Sequence, residues 1–85
     1  MIKTELQLFT DKDENTLVGV VNHIVFEAQD TFYKVIVVKI IEADFAWSKS
    51  QITVVGNFSE IREGERYRFI GNLVAHKTYG QQFRV

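Results

Sequence analysis

Between Arg66 and Val85 the sequence interleaves cations with aromatic rings: Arg66, Tyr67, Arg68 and Phe69, then Lys77 and Tyr79, then Phe83 and Arg84. These two residue types in one region suit single-stranded nucleic acid. Its phosphates need positive charge along their path, and its bases stack on aromatic faces. The segment carries four cations and no acid, whereas the residues before it hold six cations and eleven acids and sum to −5. A basic stretch on an acidic chain is a candidate binding face, and it is also what a solvated sheet face looks like.

The residues of this segment divide by position. Side chains alternate along a strand, so Arg66 and Arg68 share one face and Tyr67 and Phe69 the other. Tyr67, Phe69 and Phe83 therefore read as core. Tyr79 precedes Gly80 in turn-like sequence, where an aromatic stands exposed. A second place for stacking is Phe45 and Trp47, followed by Lys49. Those two rings either stack on bases or cap an open barrel end, and the cap is the favoured reading. The candidate nucleic-acid-binding set is Trp47, Lys49, Arg66, Arg68, His76, Lys77, Tyr79, Gln81 and Arg84.

Other chemistries lack their parts. The chain has no cysteine, which excludes a disulfide framework, thiolate-held zinc and a cysteine nucleophile. His23 and His76 lie on different elements without acidic ligands at metal spacing. Asp11 with Asp13 and Glu63 with Glu65 are acid pairs in turn-like sequence. None of the five glycines opens a GxxxxGK[ST] phosphate loop or a GxGxxG turn. No serine or threonine has a histidine base beside it. The chain itself is expected to be no enzyme and to hold no metal or cofactor. It has no signal-peptide pattern and no apolar run near the ~20 residues of a membrane helix. The expected location is the cytoplasm, with no membrane partner.

Strands must position these residues. Helical periodicity is weak, and β-branched and aromatic runs alternate with polar breaks. Strands are expected over Leu17–Glu27, Phe32–Ala43, Gln51–Phe58, Arg66–Ala75 and Gln81–Val85. In the second, Tyr33, Val35, Val37 and Ile41 fall on one face, and Phe32, Lys34, Ile36, Val38 and Ile40 on the other. Gly64 and Gly80 suit turns that need positive φ. Gly19, Gly56 and Gly71 lie inside strands, where glycine marks a bulge or a barrel corner. Eighty-five residues make one domain. The fold expected is all-β, a small five-stranded OB-type barrel over 17–85, with an N-terminal extension over 1–16. In the extension, Leu6, Leu8 and Phe9 would form an edge strand or a half-turn over the barrel.

The pattern Val54-Val55-Gly56-Asn57-Phe58, then Gly64-Glu65, Gly71, His76, Tyr79-Gly80 and Gln82-Phe83 resembles the N-terminal domain of bacterial RecD-like ATP-dependent DNA helicases, relatives of the exodeoxyribonuclease V alpha subunit. Gly19 to Val21 and Ile24 to Phe26 fit that domain's opening strand, so the resemblance covers Leu17 to Val85. The sequence departs from the family pattern in three places. Leu73 stands two residues past Gly71 where the family commonly has tryptophan, Lys77 follows His76 in place of proline, and the usual turn glycine is replaced near Phe32.

The resemblance implies an OB-like domain from a superfamily 1 helicase of 5′ to 3′ polarity, acting in DNA repair or recombination. The chain would be a fragment of that helicase, whose motor lies beyond Val85 and uses ATP and magnesium. The partners implied are single-stranded DNA, the rest of the helicase chain and a single-strand-binding protein. The alternative is a protein-interaction module that docks on the motor or on a partner without touching DNA. Phosphate-dominated binding would weaken steeply with salt.

Overall fold

Valine, isoleucine, phenylalanine and tyrosine fit a pleated, half-buried surface. Stretches rich in them form the strands of the computed structural model, which describes residues 14–85. The strands are β1 (Asn15–Glu27), β2 (Tyr33–Ala43), β3 (Gln51–Asn57), β4 (Arg66–His76) and β5 (Gly80–Arg84). They close into a barrel in the order β1-β2-β3-β5-β4, with β4 pairing back onto β1. The β3–β5 seam is parallel and short, Val54 with Phe83 and Val55 with Arg84. All other pairs are antiparallel. The described residues contain no helix. The fold is the all-β, OB-type barrel that the sequence led us to expect. The expected elements at Leu6, Leu8 and Phe9 lie outside the described residues.

The core follows from alternation. Leu17 and Val21 of β1, Ile36 and Val38 of β2, Ile52 and Val54 of β3, Phe69 of β4 and Phe83 of β5 meet inside the barrel. Fully burying one such side chain contributes roughly 1.5–3 kcal/mol. Connections close the two ends: Phe58 and Ile61 after β3 pack on the core at one end, and Phe45 and Trp47 after β2 at the other. Tyr67 is half-buried against the same cluster.

One face assignment changes. Phe32 precedes β2 and is 61% exposed, not an inner-face residue of the strand. The Tyr33 N–H donates to Thr31 Oγ1 at 3.2 Å, and the Ala28 N–H donates to the Tyr33 carbonyl at 3.0 Å. The chain is already turning there, so strict alternation does not reach Phe32.

β1 serves two neighbours, pairing with β4 over its first half and with β2 along most of its length. Its ladder with β2 shifts register at Val18/Gly19, Val21/His23 and Ile24/Phe26. Bulges of this kind bend a strand and re-aim its side chains. Ile24 stays packed on the core, while Phe26 turns outward and is 52% exposed. Gly71 marks a different constraint: a Cβ there would collide with the carbonyl of Arg84. Only glycine lets β4 and β5 approach this closely.

Candidate functional site

The outer face of β2, β3 and β5 is concave and largely apolar. β2 contributes Tyr33, Val35 and Val37, β3 contributes Thr53 and Val55, and β5 contributes Gln82. Three adjoining hollows run along it. One of about 400 Å³ lies between the β1–β2 end and the β4–β5 turn, lined by Val25, Phe26, Tyr33, Val35, Thr53, Val55, His76, Tyr79 and Gln82. The next lies over Val37, Trp47, Lys49, Gln51, Thr53, Tyr79 and Gln81. The third, of about 650 Å³, is lined by Ala46, Trp47, Ser48, Lys49, Tyr79, Gly80 and Gln81. Tyr79 borders all three, and among the described residues no carboxylate lines any of them.

The β4–β5 turn places Tyr79. His76 ends β4 and pairs with Gly80, the first residue of β5. The intervening backbone is held by the His76 ring, whose Nδ1 accepts from the Thr78 N–H at 3.1 Å and the Tyr79 N–H at 3.2 Å. Gly80 takes φ +81°, a left-handed conformation that costs glycine little. The result is a tyrosine that is 75% exposed and aimed along the groove's rim.

Trp47 is anchored from the opposite side. Its Nε1–H donates to the Gln51 carbonyl at 2.9 Å. Its ring meets Phe45 edge-on, centroids 6.4 Å apart, and Phe45 stacks on the buried Phe83 at 5.6 Å. Phe45 and Trp47 therefore cap the barrel, and Trp47 also lines the groove. At the far end Phe26 and Tyr33 stand edge to face, 6.5 Å apart.

The structure brings together Trp47, Lys49, His76, Tyr79 and Gln81 of the expected set. Lys77 is exposed in the same turn. Arg84 is exposed at the edge of this face, beside Val55 on β3. Arg66 and Arg68 lie elsewhere. They are exposed on β4, opposite Val20 and Val18 of β1. In the ring of strands, the β4–β1 junction is across the barrel from β3. Arg68 there shares a hollow with Glu42 and Asp44. His23 is exposed on β1 and pairs with Val37.

Sequence reasoning missed Phe26 and Gln82 as groove residues, and did not single out Tyr33. Tyr33 sits on the face shared with Val35 and Val37, which alternation alone could have offered. Phe26 depends on the register shift after Ile24, for which the sequence carries no signal. The acid pair in the β3–β4 connection is structural. Glu63 Oε2 accepts from the Ile24 N–H at 3.0 Å, and Glu65 Oε1 accepts from the Tyr67 hydroxyl at 3.4 Å.

No solved structure matches the chain. The barrel and the His76–Gly80 turn are the features that carry the VVGxF and HxxYGxQF spacing, and a family comparison agrees with them over residues 14–85: the chain belongs to the family described as ATP-dependent DNA helicase YrrC, OB-fold domain.

Proposed function

We propose that this OB domain holds single-stranded DNA against the outer face of β2, β3 and β5, positioning it for the helicase of which the domain is a part. One observation carries the reading: Phe26, Tyr33, Tyr79 and Trp47 line one continuous face, and among the described residues no carboxylate lines its hollows. OB folds commonly bind oligonucleotides on this part of the sheet and with the loops after strands one and four. Bases stacked on such rings need no sequence-specific partner. Lys49, Lys77 and Arg84 supply positive charge beside them. No glycine of the chain opens a GxxxxGK[ST] phosphate loop. ATP and magnesium belong to motor segments of the helicase. Fluorescence anisotropy of labelled single-stranded oligonucleotides at low salt tests the reading. Saturable binding is expected, and a flat signal up to high protein concentration counts decisively against it.

A second reading has its own observation. Val25, Phe26 and Phe32 cluster around the β1–β2 turn and are 57%, 52% and 61% exposed. Such a patch suits docking on the motor or on a partner protein such as a single-strand-binding protein. Phe32 does not line the groove, so Phe32→Ser separates the readings. Loss of partner capture with unchanged oligonucleotide binding would assign the patch to protein.

A further inference from the structure

One ring nitrogen ties the His76–Gly80 turn together. Nδ1 of His76 accepts from both Thr78 N–H and Tyr79 N–H, at 3.1 and 3.2 Å. Nδ1 is bonded to Cγ, so it occupies the place of Oδ1 in asparagine or aspartate. The arrangement is an Asx-type turn made by an imidazole. A nitrogen that accepts carries no proton, which puts the proton of the neutral ring on Nε2. The Tyr79 ring lies against the imidazole, centroids 4.8 Å apart and planes 37° apart. Tyr79 is 75% exposed, so burial does not fix its direction and the turn beneath it must.

Among the described residues, no carboxylate or ammonium lines the hollow with His76. From β1 it faces Val25 and Phe26, from β2 Tyr33 and Val35, from β3 Thr53 and Val55, and from β5 Gln82. The titratable groups in that hollow are the Tyr33 and Tyr79 phenols, and Lys77 follows His76 in the chain. A proton placed on Nδ1 would turn the acceptor into a donor facing two N–H groups. Both hydrogen bonds would be lost together.

We propose that His76 is the positioning residue of this site: in its neutral form it caps the turn that holds Tyr79 at the groove, and uptake of a proton releases the turn, so that acid weakens single-strand binding. The last clause rests on the single-strand reading, and the cap does not. The direction is diagnostic. A histidine that touched phosphate directly would bind more tightly when protonated.

The test uses the 85-residue chain, labelled with nitrogen-15, between about pH 8 and about pH 5, where histidines ordinarily titrate. Long-range proton–nitrogen NMR is expected to place the ring proton on Nε2 at high pH. The Thr78 and Tyr79 amide resonances should move together with the ring's titration. Anisotropy of rhodamine-labelled oligothymidine should show binding about fivefold to tenfold weaker at the acid end, the scale of two lost hydrogen bonds in an exposed turn. His76→Asn keeps an acceptor on the same atom position without titrating. It should lose the pH response. His76→Ala should be weak throughout. A proton found on Nδ1 at high pH, tighter binding in acid, or an asparagine variant with the parent's pH profile overturns the proposal. If oligothymidine binds at neither pH, the single-strand reading fails and takes the binding clause with it. The amide shifts still decide the cap, and Thr78 and Tyr79 amides that ignore the ring's titration overturn it.

Discussion

Tyr79 and Phe83 lie on either side of one turn and do opposite jobs. Phe83 is fully buried and stacks on Phe45. Phe83→Ala is expected to cost about 3–5 kcal/mol, a large share of the 5–15 kcal/mol that holds a typical domain together. A urea titration followed by Trp47 fluorescence should show the midpoint fall or the transition vanish. Tyr79 contributes little to the core, so Tyr79→Ala should leave the unfolding free energy from the urea titration within about 0.5 kcal/mol of the parent. Its effect belongs to binding: loss of one stacked base at about 1–3 kcal/mol weakens oligonucleotide affinity about 5- to 150-fold. Lys34 is a third kind of residue. It points inward as strand alternation requires, with a side chain only 8% exposed, 3.8 Å from Glu27. Its ammonium donates to the Phe58 carbonyl at 2.8 Å. Lys34→Ala leaves that carbonyl without its donor, and we expect it to destabilise by about 1–3 kcal/mol in the same titration.

At the scale of elements, the sequence was readable where periodicity decides. Strand bounds differ from expectation by at most two residues, and Phe69 and Phe83 are core because period-two alternation put them inside. What stayed hidden was register. Phe26 joins the groove only because β1 shifts against β2 after Ile24, and no residue type announces that shift. The turn at His76 was legible as a turn through Gly80. The imidazole cap was not, because histidine is an unusual residue for a role that asparagine and aspartate ordinarily fill. The interior glycines read as bulges or barrel corners, and at Gly71 the structure shows a different need, the close approach of β4 and β5. A methyl group there meets the Arg84 carbonyl, so Gly71→Ala must push β5 away from β4. β5 also carries Phe83 and the short parallel seam to β3. We expect overpacking costs of about 1–3 kcal/mol. Hydrogen exchange should rise selectively at the amides of Gln82 to Val85, while the β1–β2 ladder keeps its protection.

For the whole molecule, the question is which cations a bound strand can reach at once. Read along the chain, Lys49, Arg66, Arg68, Lys77 and Arg84 look like one basic set, and a set of five would make binding steeply salt-dependent. The closed barrel divides them. Lys49 lines the groove, Lys77 sits in the turn that borders it, and Arg84 stands at its edge beside Val55. Arg66 and Arg68 face the β4–β1 junction on the far side. For a single strand, the logarithm of affinity falls with the logarithm of salt by about 0.7 per phosphate neutralised. The three of this set within reach give a slope of about −2, and all five give about −3.5. Stacking on the four aromatic residues would supply the remainder, and it responds weakly to salt. We therefore expect a slope near −2 or shallower in anisotropy titrations from low to moderate salt. Lys49→Gln should flatten it further, and Arg66→Gln should leave it unchanged. A slope near −3.5 that Arg66→Gln reduces would mean that the strand wraps around the barrel, and would move the binding path off the groove and onto β4.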